Sequence, residues 1–404
     1  MDSLFHSPQF PQFPQFRHSP SFGPMPSPRT VHDIPTPALL LDRIILERNL
    51  IQMAERTARL GARLRPHVKT HKCIEVGRLQ RRHGAAGITV STIVEARDFA
   101  DHGFDDITWA VPLPLPRLDE AVVLAQRITL RLLVESDEAA LAVETVAKAA
   151  GLRLHVWLEV DCGYHRSGVD PALPASATLA RRLAESAHLT FDGLLTHAGH
   201  SYGAPDVTAR ALVAKQEREV TVAFAERLRA DGVPVPAVSI GSTPSMAVMD
   251  SLAGVDEVRP GNYAFYDWMQ SAAGVCAPED VAVSVLTTVI SHQDALPHAI
   301  VDAGALSLSK DSGPGDVSLR RGLGPVYAGL AGAALEPRVN VSHVSQEHGF
   351  LEGPRPEDIR GRFRVGDRVR VMPNHSCLTA AMFDEYWVVE GERVMDRWKI
   401  WRGR

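Results

Sequence analysis

The chain has 404 residues, enough for two or three domains, and its 45% hydrophobic and 23% charged side chains are those of an ordinary globular protein with a full core. Its 43 basic and 48 acidic residues are spread along the whole length for a net charge of -5, and the absence of a basic block argues against a nucleic-acid partner. No apolar run approaches the roughly 20 residues of a membrane span, and the N-terminus lacks the basic start and apolar stretch of a secretory signal.

Residues 1–30 stand apart. Pro-Gln-Phe occurs three times, at 8–10, 11–13 and 14–16, and seven of the 28 prolines fall here. Such a segment supports neither a helix nor a central strand, and a disordered extension is expected. Order is expected from Ile34-Pro35-Thr36-Pro37 onward, beginning with an apolar strand that ends at Leu41. Asp42 is placed to cap a helix whose apolar stripe recurs at Leu46, Leu50, Met53, Thr57 and Leu60, and Gly61 is placed to end it.

The chain then alternates. Strand-like runs occupy 63–67, 86–90, 107–111, 129–134, 154–160, 190–196, 236–241 and 256–259, separated by helix-length segments such as 137–150, 171–187 and 206–231. Eight strands in βα alternation predict an α/β fold, a parallel (β/α)8 barrel over residues 42–275. Beyond residue 275 the helical periodicity nearly disappears. Val281 to Ser291, Ala299 to Asp302, Val339 to Val344, Arg368 to Met372 and Tyr386 to Val389 read as strands between Gly/Pro loops. They predict a second, mainly antiparallel β domain over 276–404, which the first strand, within 31–41, is expected to join. The cysteines, Cys73, Cys162, Cys276 and Cys377, are too few and too far apart to staple a chain of this length, and they suit a reducing cytoplasm.

In a parallel barrel the reacting groups sit on loops after the C-terminal strand ends. The predicted strands put Lys69, Ser91, Thr92, Asp161, Arg166 and His197 there, followed by Gly241-Ser242-Thr243 and Gly261-Asn262-Tyr263. Lys69 lies among Arg65, His67, His71 and Lys72, where neighbouring cations would lower its pKa and favour a Schiff base with an aldehyde. A solvated basic loop is the alternative. The two Gly-containing loops after the seventh and eighth strands are where such barrels often hold a phosphate, though each also reads as an ordinary capped turn. His375 and Cys377, at i and i+2, would point to one face of a strand and offer zinc an imidazole and a thiolate. Two donors suit an open catalytic site rather than a structural one, and a loop His beside a buried Cys is the alternative.

Together these motifs are familiar. Pro66-His67-Val68-Lys69-Thr70-His71-Lys72, Gly163 to Gly168, Thr196-His197-Ala198-Gly199-His200, Gly241-Ser242-Thr243-Pro244, Arg259-Pro260-Gly261-Asn262-Tyr263, Glu347-His348-Gly349 and Pro373-Asn374-His375-Ser376-Cys377 follow one another in a fixed order. The sequence resembles the fold-type III pyridoxal 5'-phosphate (PLP) enzymes that include the eukaryotic-type D-serine dehydratases and D-threonine aldolases, and more distantly alanine racemase. The resemblance covers about residues 31–400. It implies PLP carried on Lys69 and a phosphate held by Gly241, Ser242, Thr243, Gly261, Asn262 and Tyr263. It implies Arg166, His197 and Tyr202 about the cofactor, and a divalent metal on His375 and Cys377, with zinc first and manganese or magnesium as alternatives. His348 is expected to orient the metal site or substrate. The implied assembly is a homodimer.

In this family His-x-Cys goes with dehydration and His-x-Asp with aldol cleavage, so Cys377 favours loss of water and ammonia from a D-3-hydroxyamino acid. A retro-aldol lyase, a 3-hydroxyaspartate dehydratase and a non-catalytic PLP carrier are the alternatives.

Overall fold

The structure is a computed structural model, and it describes residues 28–312, 322–332 and 335–403. The expectation of disorder over 1–30 therefore lies outside the described residues for 1–27. The chain is already in place at Thr30, which bridges Arg393, four residues before the expected start.

Strand β1 (Ala38–Asp42) leads directly into helix α1 (Arg43–Arg59). The Asp42 carboxylate accepts the Ile45 N–H at 3.0 Å, satisfying one of the amides that a helix start leaves unpaired. The predicted stripe is the buried face: Leu46, Leu50, Met53 and Thr57 are in the core, with Asn49 beside them, and only Leu60 lies at its margin. Gly61, at φ +78°, takes the left-handed turn that ends the helix.

Eight parallel strands follow, each near its predicted place: β2 (Arg63–Leu64), β3 (Ile88–Val90), β4 (Asp106–Pro112), β5 (Thr129–Val134), β6 (Leu154–Glu159), β7 (Leu189–Leu195), β8 (Ala237–Ile240) and β9 (Glu257–Val258). They pair in sequence from β3 to β9, β9 pairs with β2, and a parallel bridge between His67 and Thr89 joins β2 to β3 around the ring. Between them run α2 (Ile74–Arg82), α3 (Ile93–Asp101), α4 (Leu118–Ala125), α5 (Asp137–Ala150), α6 (Pro174–Glu185), α7 (Val207–Ala230) and the short α8 (Thr243–Val248). The helix expected at 137–150 is found at those residues. Those expected at 171–187 and 206–231 are trimmed at each end, by Pro174 at the first helical position of α6 and by the Asp206 cap of α7.

A buried ionic chain runs across the barrel strands. Arg65 Nε donates to Glu257 Oε2 at 2.6 Å, Arg65 Nη1 donates to Asp106 Oδ1 at 2.6 Å, and Ser239 Oγ donates to Glu257 Oε1 at 2.8 Å. Arg259 continues it toward the strand ends, donating to Ser239 Oγ and to the Thr196 carbonyl. Charges this deep persist only when paired.

The second sheet is antiparallel in its main part. After α9 (Trp268–Ala272) come β10 (Val283–His292), β11 (His298–Val301), α10 (Ala305–Leu308), β12 (Pro325–Tyr327), β13 (Leu335–Val344), β14 (Gly349–Glu352) and β15 (Arg368–Val371). Then follow α11 (Ser376–Ala380), β16 (Glu385–Glu390) and β17 (Arg393–Lys399). The order β11-β14-β13-β12-β15-β10, with β10 also paired to β11, closes six strands into a barrel. On its flank β1 pairs antiparallel with β10 and parallel with β16.

Three strands escape the sequence pattern. β12 spans three residues, β14 spans four, and β17 is an edge strand carrying Arg393, Asp396, Arg397 and Lys399.

Candidate active site

The first βα loop carries Lys69. Val68–Thr70 form a single tight turn with His67 as its cap. The Lys69 side chain keeps accessible surface, yet burial is the largest influence on its amine. Both hold for a group lining a recess. Burial lowers its pKa, and the charges of Arg166 and Lys72 add to that, while Cys377 and Glu95 oppose it. His67 and His197 line the same recess. Burial first, and then the Lys69 charge, hold both imidazoles well below their ordinary range. Lys69 thus stands beside two neutral imidazoles. Lys72, by contrast, is tied to the buried Glu95 carboxylate.

Two buried loops follow β8 and β9, and the second is pressed against the turn that carries Lys69. Gly241 sits at φ +99°, and its N–H donates to Glu217 Oε1 at 2.9 Å. Ser242 caps α8 through its hydroxyl and also meets Ser201 Oγ at 2.9 Å. Thr243 Oγ1 accepts the Tyr263 N–H at 3.0 Å, and the Tyr263 ring points into the core, where its hydroxyl accepts from Gln80 at 3.2 Å. The N–H groups of Gly261 and Asn262 have no acceptor among the described residues. A Cβ on Gly261 would stand 2.8 Å from the His67 carbonyl, so the loop is pressed against the Lys69 turn. Unpaired buried amides beside hydroxyls form a cradle for an anion, and the site fits a phosphate-bearing aldehyde held next to a lysine.

Around the recess, the Tyr202 hydroxyl is pushed up by burial and lies against the side chain and amide of Thr243. Arg166 is exposed, packs over the Tyr164 ring at 5.4 Å, and acts electrostatically on both Lys69 and His197. Three other residues placed here by sequence do local work instead. Thr92 caps α3, Ser91 donates its amide to Glu95 Oε2 at 2.8 Å, and Asp161 closes a turn by accepting the N–H groups of Gly163 and His165 at 2.9 and 3.0 Å.

The opposite wall comes from the second sheet. His375 and Cys377 are not on a strand, as their spacing suggests, but at the start of α11, where His375 is the cap residue. The reason is Asp267, a buried carboxylate just before α9. It accepts the Ser376 N–H at 3.1 Å and Asn262 Nδ2 at 2.8 Å, turning the chain into a helix and tying it to the phosphate-type loop.

Cys377 Sγ reaches Thr70 Oγ1 at 3.3 Å, one residue from Lys69. Burial would raise the thiol, but the hydrogen bond and charge of His375 bring it below its ordinary value. Burial opposes protonation of His375 as well, yet Asp311 and Cys377 outweigh it and push the imidazole up to about 11. An imidazole and an ionisable thiol in contact are a borderline-soft donor pair that fits zinc. No cluster of three or more His, Cys, Asp or Glu that could hold a metal lies among the described residues.

His348 is elsewhere in this picture. It is exposed in the turn between β13 and β14, and among the described residues no hydrogen bond or ion pair joins it to Lys69, His375 or Cys377.

Comparison with known proteins identifies the family. Residues 41–267 match the alanine racemase N-terminal domain, more than half of the chain, and residues 282–389 match a putative serine dehydratase domain. The chain belongs to the fold-type III PLP-dependent lyases. It is 41% identical to the D-threo-3-hydroxyaspartate dehydratase of Delftia sp. (strain HT23), over 93% of this chain and 99% of that one. It is 35% identical to the D-serine dehydratase of Dictyostelium discoideum, over 90% and 95%, and 30% identical to a D-threonine aldolase of Arthrobacter sp, over 91% and 92%. A solved structure of a cysteine-to-alanine mutant of D-threo-3-hydroxyaspartate dehydratase, described as the metal-free form, superposes with a TM-score of 0.87 at 39% identity, covering 93% and 100%.

Sequence reasoning passed over four residues of this lyase. Arg259 stands inside a motif that was read for its glycine. Glu217 lies mid-helix and Asp267 follows the motif, each looking like a solvated acid, although both are fully buried. Asp311 lies in a loop without periodicity.

Proposed function

We propose that the protein is a PLP- and metal-dependent lyase that removes water and ammonia from a D-3-hydroxyamino acid, leaving a 2-oxo acid. The observation that carries this reading is the contact of Cys377 with Thr70, which sets a lysine amine and a His–Cys pair across one recess. Lys69 is the cofactor lysine and the base at Cα, its depressed pKa leaving more of the amine free to take a proton. Bound PLP supplies an electron sink for the charge that develops at Cα. The Gly261 and Asn262 amides and the hydroxyls of Ser242 and Thr243 hold its phosphate, while Gly241 and Tyr263 shape the loops. Arg166, His197 and Tyr202 border its ring. His375 and Cys377 hold the metal, most naturally zinc, whose Lewis acidity would assist a departing hydroxyl. His348 is assigned a secondary part in orienting the metal site or the substrate. The D configuration and the hydroxyamino acid class rest on the named relatives and on His-x-Cys.

The same reading takes the chain as a barrel to about residue 275 followed by a β domain, assembled as a cytoplasmic homodimer. Among the described residues no helix is long and apolar enough to cross a membrane.

The test is a product assay on purified protein with D-serine, D-threo-3-hydroxyaspartate and D-threonine. A 2-oxo acid and ammonia, lost on chelation and restored by zinc, are expected. Glycine and an aldehyde as the main products would replace this reading with an aldol cleavage.

A further inference from the structure

The loop after α10 makes two direct bonds to the segment carrying His375 and Cys377. Asn374 Nδ2 donates to the Asp311 carbonyl at 2.8 Å. The next residue, His375, places its Nδ1 2.5 Å from Asp311 Oδ2. Thr379 Oγ1 adds a third tie, donating to the Leu308 carbonyl at 3.3 Å. Ser309, between them, adopts φ +65°, a conformation that a side chain other than glycine's rarely takes, so the loop is bent toward this contact.

An imidazole has two nitrogens, and a carboxylate can only accept. With Asp311 at Nδ1, that nitrogen keeps its proton when the ring is neutral, as a metal ligand must be, and Nε2 is the nitrogen whose lone pair is then available to a metal. Cys377 lies within hydrogen-bonding reach of the same ring. The carboxylate therefore fixes both the tautomer and the ring direction of a donor that would otherwise turn about its side-chain bonds.

We propose that Asp311 is a positioning residue for the metal: by engaging Nδ1 it fixes the His375 ring so that Nε2 is the nitrogen offered to a metal shared with Cys377. This rests on the metal reading above. Outer carboxylates of this kind typically contribute about 10–100-fold to metal affinity.

The experiment is a zinc titration of PLP-loaded protein, stripped of metal, against a chromophoric competing chelator. Wild type, Asp311→Asn, Asp311→Ala and Cys377→Ala are compared, with a thermal melt of each. Wild type should bind one zinc per chain and Cys377→Ala should lose it. If either fails, the metal reading itself falls. Asp311→Asn, which still accepts the Nδ1 proton but without charge, should weaken zinc about tenfold, and Asp311→Ala should weaken it further, toward 100-fold, at an unchanged PLP absorbance. Equal zinc affinity in wild type and both Asp311 variants, with Cys377→Ala still defective, overturns the inference alone. So does a cobalt-substituted Asp311→Asn whose visible spectrum shows a changed coordination number, because Asp311 would then be a ligand.

Discussion

Glu217 offers a quantitative test of how the site is braced. Its side chain rises from the middle of α7 and is fully buried. One oxygen, Oε1, accepts the Ala198 N–H at 3.0 Å and the Gly241 N–H at 2.9 Å, so one atom joins the loop carrying His197 to the loop opening the phosphate cradle. Burial pushes this carboxyl up, and the two amides work against that. Glu217→Ala leaves both amides without an acceptor in a buried place, at roughly 1–3 kcal/mol each. Release from the desolvation of a buried carboxylate offsets part of this, and a net loss of about 3 kcal/mol is expected. Glu217→Gln keeps an acceptor oxygen of the same shape and gives up only the charge-assisted part, about 1 kcal/mol.

The assay is a urea melt followed by circular dichroism, paired with a PLP titration of the stripped protein. Both should rank wild type, Gln, Ala, with PLP affinity falling in step because both loops border the cofactor. A Gln variant as damaged as the Ala variant would show that charge and not hydrogen-bond acceptance matters. An Ala variant within 0.5 kcal/mol of wild type would refute the bracing argument.

The other predictions concern the barrel interior and the cradle. Burial would raise the Asp106 carboxyl, but the hydrogen bond and charge of Arg65, with Arg131 beside it, hold it below its ordinary value. An acid with a lowered folded-state pKa contributes stability that is present above its unfolded value and lost as pH falls through the folded one. Asp106→Asn should therefore destabilise the protein at neutral pH, and the difference from wild type should close on acidification below about pH 4; a gap independent of pH would contradict the ion pair. Gly261→Ala would drive a Cβ to within 2.8 Å of the His67 carbonyl and 3.0 Å of the His67 Cβ. It should weaken PLP binding at least tenfold by forcing the cradle away from the Lys69 turn, and unchanged cofactor affinity would show that the two loops are not pressed together.

Much of this architecture is legible in the chain because each βα unit repeats its own signals. The Asp42 cap, the stripe through Leu46, Leu50, Met53 and Thr57, and the Gly61 stop all come from local rules, and local rules decide them. Most of the eight parallel strands are visible for the same reason, as apolar runs between helices, while β2 (Arg63–Leu64) and β9 (Glu257–Val258) are short and half charged. β12, β14 and β17 are not visible, because a short strand or a charged edge strand is held by partners distant in sequence, such as β13 for β12 and β16 for β17.

The site divides along the same line. Lys69, His197, the two glycine loops and His375–Cys377 sit in motifs and were named from them. Their bracing residues were not. Glu217, Asp267 and Asp311 act across 24, 109 and 64 positions of sequence, on Gly241, Ser376 and His375. Only folding reveals that they are buried or paired. Asp267 also explains why His375 and Cys377 open a helix instead of sharing one face of a strand, since it holds the Ser376 amide.

The central claim is that Lys69 is the residue that carries PLP. Borohydride treatment of the purified, cofactor-loaded protein followed by peptide mapping tests it most directly, because reduction fixes the cofactor on whichever lysine holds it. A pyridoxyl group on Lys69 and on no other lysine is the predicted result. Labelling of Lys72, three residues away and paired with Glu95, or no labelling of a protein that has bound PLP, would contradict it.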